Sequence, residues 1–184
     1  LFEQYLTYIG DAVHGDFGDS LKQRGRTVSK IISTKFPVSA RLGGMAVLVA
    51  FCIGVPLGCI SALNRGKIGD NIIIVIATCG IAVPSFVICT MLMYVFGVRL
   101  GWLPTLGLST WKHYIMPVIA LAFYPTAYIT RLMRSSMLDV LGQDYMRTAK
   151  AKGLNQFVSL FKHALRNAIL PIVTYMGPLL AYTV

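Results

Sequence analysis

Four stretches of this sequence contain no Asp, Glu, Lys or Arg: residues 42–64, 71–98, 113–130 and 167–184. Each reaches the roughly 18 predominantly apolar residues that a helix needs to cross the hydrocarbon core of a bilayer. In hydrocarbon every backbone N–H and C=O must be satisfied within the protein, so such runs read as spanning helices. Four of them in 184 residues exclude a soluble domain. Composition agrees, since 13% of the residues are charged against about 25% in a soluble domain. The expected fold class is all-α, a polytopic transmembrane helical bundle. Leu1 opens no basic-then-apolar leader and Val184 lies inside an apolar run, so the chain reads as an internal fragment with an earlier and a later span outside it. Cys52, Cys59, Cys79 and Cys89 all fall in apolar runs without the two-residue spacing of a metal or redox pair, and read as small packing residues.

Residues 1–41 form a segment outside the spans. Gly10-Asp11, Gly15-Asp-Phe-Gly-Asp-Ser20 and Gly25 read as turns, because glycine permits positive φ and Asp or Ser can bond nearby backbone. Val28, Ile31, Ile32 and Phe36 recur at helical spacing with Lys30 and Lys35 between them. This predicts either a short basic amphipathic helix on the membrane surface, stopped by Pro37, or a plain lead-in to the first span. The first span holds Gly54-Val-Pro-Leu-Gly58, small residues four apart that let helix backbones approach closely in lipid. A tight loop at 65–70 follows. The second run is interrupted at Gly80 and at Pro84-Ser85, which reads as a broken helix beside a pathway or as a structural kink between packed helices. Trp102 and Trp111 in the 99–112 segment are the indoles of a membrane interface.

The 131–166 loop carries Arg131, Arg134, Arg147, Lys150, Lys152, Lys162 and Arg166 against Asp139 and Asp144. With this loop inside, nine basic residues are cytoplasmic and eight are outside, so the positive-inside rule leaves orientation open. Asp144 is placed as an N-cap and Gly153 as the left-handed residue that ends a helix. Between them, residues 145–152 form about two turns, roughly 12 Å long. Ala149 and Ala151 favour that helix, while Arg147, Lys150 and Lys152 cannot enter hydrocarbon. Asn155 can cap a second helix, with Phe157, Phe161, Ala164, Leu165 and Ala168 on one apolar face. A short amphipathic helix between two spans suits docking of a soluble partner; a solvated basic loop at the headgroups fits equally well.

Ala149, Gly153 and the helix after them fit the spacing of the "EAA" loop of binding-protein-dependent ABC importer permeases. The strings Gln143-Asp-Tyr-Met-Arg-Thr-Ala-Lys-Ala-Lys-Gly-Leu154 and His163-Ala-Leu-Arg-Asn-Ala-Ile-Leu-Pro171 resemble the dipeptide/oligopeptide/nickel subfamily. So do Gly15-Asp-Phe-Gly-Asp-Ser20, Pro56-Leu-Gly58, Pro84-Ser-Phe86 and Arg131-Leu-Met-Arg-Ser-Ser-Met137. The resemblance covers essentially the whole chain. Arg147 and Thr148 stand where the general loop has Glu and Ala, and Arg166 where it has Pro, so no role of that glutamate carries over.

The resemblance implies the MetI-like bundle of type I importers, with four of six spans in this chain, in the inner membrane of a bacterial or archaeal cell. It implies a cytoplasmic 131–166 loop whose short helix docks on an ATPase subunit through Asp144, Tyr145, Arg147, Thr148, Ala149, Lys150, Ala151, Lys152 and Gly153. Residues 1–41 would then face an extracytoplasmic substrate-binding protein. The implied partners are a second homologous permease, two ABC ATPase subunits and membrane lipid. The implied cargo is di- or oligopeptides, with nickel complexes or glutathione as alternatives. Thr78, Pro84, Ser85, Thr90, Tyr124 and Thr126 are the candidate pathway groups, although such hydroxyls also bond their own helix carbonyls.

Other classes fit less well. An enzyme would need clustered acids, histidines or metal ligands in the spans, which hold only His113, at an interface, and no carboxylate; His14 and His163 lie outside them. No glycine loop cradles phosphate, so ATP and its Mg are expected on partner subunits and no cofactor or metal on this chain. An ion-coupled carrier or channel usually keeps ionisable residues within its spans, and none is seen here. The net charge of +10 flanks lipid-spanning runs, which argues against a nucleic-acid partner.

Overall fold

The fold was read from a computed structural model that describes residues 1–153, 155 and 158–184, residue 150 by its backbone alone. Among the described residues the regular elements are helical, with one isolated antiparallel bridge, Asp19–Thr27. The chain divides into two compact units, Leu1–Arg41 with Val184, and Leu42–Thr183.

In the first unit, helix α1 is Phe2–Val13. It runs straight through Gly10-Asp11, which the sequence suggested as a turn; the helix holds no proline and no glycine besides Gly10 to stop it, and the chain turns only after it. Gly15, Gly18 and Gly25 do take positive φ, as expected of turns. Ser29 fastens the loop by donating its hydroxyl to the Gly15 carbonyl at 2.6 Å. Helix α2, Val28–Leu63, begins in this unit; it corrects the expectation of a separate surface helix stopped at Pro37 and fits the lead-in to the first span that the sequence equally allowed. Proline removes one N–H, but the apolar run that follows has no other way to satisfy its backbone in lipid, so the helix continues.

In the second unit, α3 is Ile68–Ala82 and α4 is Ser85–Leu92, prolonged by a wider π-helical stretch Met93–Arg99. Helix α5 is Lys112–Leu141, α6 is Asp144–Ala151, and a second π-helical stretch, Ser159–Ala164, leads to α7 at Leu165–Ala168 and α8 at Leu170–Thr183. Helices α2 and α5 are each long and apolar enough to span alone. The expected second and fourth spans are bent pairs: α3 with Ser85–Arg99 at 99°, and Ser159–Ala168 with α8 at 43°. Pro117 and Pro125 lie inside α5 without ending it. That helix also continues past Thr130 to Leu141, so the first third of the expected 131–166 loop is helical.

The packing of α2 on α5 follows from Gly54 and Gly58. A Cβ on Gly54 would lie 2.8 Å from Ile129 Cγ2, and one on Gly58 would lie 2.6 Å from Met133 Cβ and 2.7 Å from the Thr130 carbonyl. Without driving force from water, close backbone approach of this kind is what binds helices in lipid. Ile129 and Met133 sit at the centre of a buried cluster that extends through Met137 and Met146 to Ala164, Ala168 and Ile172.

Candidate functional site

Helix α6 is held to the bundle along one face. Met146 is 1% exposed and Ala149 8% exposed, three residues apart and therefore on the same side. Tyr145, at the rim, accepts a hydrogen bond from Asn167 at 2.9 Å through its hydroxyl. Arg147, Thr148, Ala151 and Lys152 are exposed on the other side; Lys150, placed with them by sequence, has its side chain outside the described residues. Asp144 is not the cap expected of it. It lies in the first turn, and the Gln143 carbonyl accepts the first N–H groups, from Met146 at 3.1 Å and Arg147 at 3.4 Å. A carboxylate there still opposes the positive helix end, and its 3.6 Å pairing with Arg147 is a fully solvated contact of little energy. Gly153 adopts φ +71°, the left-handed conformation that the sequence required of it.

Beyond that glycine, the Asn155 carbonyl accepts from Ser159 N–H at 3.0 Å. Ala164 and Ala168 are fully buried, as their apolar face demands, whereas Phe161 is exposed. Leu154 and Phe157 lie outside the described residues. Ser136 on α5 donates its hydroxyl to the Ala168 carbonyl at 2.8 Å, tying α5 to α7 where the chain re-enters the apolar core.

The six candidate pathway groups separate. Pro84, Ser85 and Tyr124 line one cleft of about 530 Å³, with Leu121, Pro125 and Tyr182, where the chain breaks between α3 and α4. Val83 is extended there (ψ 121°), because the residue before proline is driven out of the helical basin, and Pro84 is extended after it (ψ 141°). Thr126 instead lines an apolar cavity of about 270 Å³ among α2, α3 and α5, and its hydroxyl bonds the Ala122 carbonyl at 2.7 Å. Thr90 bonds the Phe86 and Val87 carbonyls of its own helix. Thr78 is exposed on α3, away from the cleft lining.

Two features escaped the sequence reading. Tyr124, Tyr128 and Tyr175 form a ladder, with ring centroids 6.4 Å and then 4.5 Å apart. An adjoining cleft of about 390 Å³ is lined by Tyr124, Tyr128 and Arg131. The i, i+4 spacing of Tyr124 and Tyr128 was the available signal. The second is an ion pair between a buried carboxylate and a guanidinium that is a quarter exposed. Asp70, 2% exposed at the start of α3, accepts Arg134 Nε on Oδ1 and Nη2 on Oδ2, both at 2.7 Å. Ser61 donates its hydroxyl to Oδ1 at 2.5 Å and Gly66 its N–H to Oδ2 at 2.9 Å. Counting charges by loop placed Arg134 among solvated basics; nothing in its spacing pointed 64 residues back to Asp70.

Residues 54–184 match the family described as "Binding-protein-dependent transport system inner membrane component". The chain is 42% identical over 180 residues to the oligopeptide transport system permease protein OppB of Salmonella typhimurium, a match over 97% of this chain and 59% of that protein. It is also 42% identical over 181 residues to the dipeptide transport system permease protein DppB of Bacillus subtilis, over 98% and 59% of the two chains. The glutathione transport system permease protein GsiC of Escherichia coli K12 is 42% identical over 177 residues, 96% of this chain and 58% of that one. The chain thus spans about three fifths of the length of these relatives. With most of its length inside the family match and its all-helical bundle, it belongs to the inner membrane components of binding-protein-dependent transport systems.

Proposed function

We propose that this chain is part of a permease subunit of an ATP-driven importer of di- or oligopeptides, forming half of the translocation pathway beside a second homologous permease. The observation that carries the reading is α6, a two-turn helix fixed on one face by Met146 and Ala149 and presenting Arg147, Thr148, Ala151 and Lys152 outward. A soluble subunit can move a spanning bundle only through a stiff element seated on both, and α6 has that form. Two ABC ATPase subunits bind ATP with its Mg and press on α6, with Tyr145 and Gly153 fixing its ends and Asp144 exposed in its first turn. The 131–166 segment is then cytoplasmic, and residues 1–41 face the binding protein on the outer side of a bacterial or archaeal cell membrane that the chain crosses several times. The chain itself carries no catalysis.

The cleft of Pro84, Ser85 and Tyr124 supports a pathway wall, extended by Tyr128 and Arg131. Peptide amides need polar partners, which tyrosine hydroxyls and the carbonyls at a helix break supply in an otherwise apolar setting. The names of the relatives, oligopeptide, dipeptide and glutathione permeases, favour amide-bonded cargo over bare nickel complexes. Glutathione is the second reading, favoured by equal identity to GsiC. The test is uptake of labelled di- and tripeptides by the full-length protein assembled with its partners in proteoliposomes, with unlabelled peptides, glutathione and nickel as competitors. ATP-dependent peptide uptake that peptides suppress is expected; a complex that hydrolyses ATP but neither imports nor is inhibited by peptides sinks the peptide reading.

A further inference from the structure

Asp70 is the one acidic side chain that the fold buries among the described residues. Four hydrogen bonds reach its two oxygens from three places: Ser61 in the last turn of α2, Gly66 in the α2–α3 corner, and the Arg134 fork on α5. With Asp70 withdrawn from water and Arg134 a quarter exposed, the pair offers little net stability over apolar side chains of the same volume, so its presence calls for another reason. Geometry supplies one. A bidentate guanidinium–carboxylate pair admits a single relative placement of its two carriers, which a point charge or a greasy contact does not. Arg134 stands two turns before the end of α5 at Leu141, and α6 begins at Asp144. Asp70 opens α3, whose far end is the break at Val83 and Pro84. The pair therefore fastens α5, which ends beside α6, to α3, which ends at the break.

We propose that Asp70 and Arg134 form the joint through which motion of α6 reaches α3 and the break beyond it, making the α2–α3 corner and the carboxyl end of α5 move as one body. This rests on the permease reading, in which an ATPase drives α6. Both are positioning residues, and neither touches cargo.

The test uses the full-length permease in its assembled importer, with Cys52, Cys59, Cys79 and Cys89 replaced by Ala and spin labels at the exposed Lys67→Cys and Asp139→Cys. With Asp70 and Arg134 intact, the distance between labels keeps one narrow peak in the nucleotide-free and the ATP–vanadate-trapped states. Arg134→Lys and Asp70→Asn broaden or shift that peak on trapping, and tri-alanine imported per ATP hydrolysed falls roughly two- to thirtyfold. The double variant Asp70→Leu/Arg134→Met avoids a lone buried charge, so it assembles normally, yet it stays uncoupled. Should the single variants fail to insert, the double variant and the milder Ser61→Ala carry the same readouts. A peak that moves on trapping in the intact pair, or a double variant with undiminished coupling, overturns the joint. A complex with the pair intact that moves no tri-alanine condemns the peptide reading instead, and the distance measurement still decides the joint.

Discussion

At the scale of single residues, glycine separates into positions where a side chain is excluded and positions where it is indifferent. Gly58 has Met133 Cβ and the Thr130 carbonyl within 2.7 Å of where its own Cβ would be, and one of those atoms is backbone that cannot swing aside. Gly44, on the same helix, has nothing within 4 Å. Gly58→Val should therefore force α2 from α5 and destabilise the detergent-solubilised full-length protein by about 1–3 kcal/mol, the usual range for overpacking. Gly44→Val should change the melting temperature little. Equal melting shifts for the two would show that the close approach of α2 to α5 is not what holds them. The same pair of atoms explains why the Gly54–Gly58 spacing was informative in the sequence: close packing in lipid leaves its mark as missing side chains.

At the scale of elements, α6 shows how a helix of eight residues can be stiff although isolated helices of that length are marginal in water. Its stability comes from Met146 in the core and from Tyr145 bonded to Asn167, and its end is set by Gly153 at φ +71°. Among the described residues beyond its chain neighbours, no atom lies within 4 Å of a Cβ built there, so a substitution acts chiefly through the backbone. Gly153→Val should cost roughly 1–2 kcal/mol locally, leave membrane insertion normal and reduce import per ATP hydrolysed. Gly153→Asn, which tolerates the left-handed basin, should retain most of the coupling. Measuring both in the assembled importer separates strain from bulk: if valine couples as well as glycine, the sharp turn after α6 does not transmit force.

At the scale of the whole molecule, what the sequence discloses is set by range. Charge-free runs, the Gly54–Gly58 pair, the left-handed Gly153 and the interruption near Pro84 are local features, and each has a structural counterpart. The continuation of α2 through Pro37 and of α5 through residues 131–141 was not legible, because loss of one N–H or gain of polar residues does not by itself end a helix. The Asp70–Arg134 pair and the Tyr128–Tyr175 contact depend on residues far apart in the chain, and no spacing rule reaches them. The break between α3 and α4 lies between these cases. Its position follows from Pro84, but its 99° angle is a property of the packed bundle. Val83 N–H makes the last α3 bond, to Cys79, and the Pro84 carbonyl accepts the first α4 bonds, from Val87 and Ile88. Replacing Pro84 by Ala restores the missing N–H and frees Val83 to become helical, removing a bias of about 3 kcal/mol against a continuous helix. That bias corresponds to roughly a hundredfold in population, enough to straighten the segment wherever packing permits. Pro84→Ala should then reduce peptide import while leaving ATPase assembly unchanged, because α6 and the ion pair lie at the other end of α3 and α5. Thiol labelling of Ser85→Cys in both backgrounds should report the altered cleft. Undiminished import with unchanged labelling would mean that the surrounding helices, rather than the proline, impose the bend.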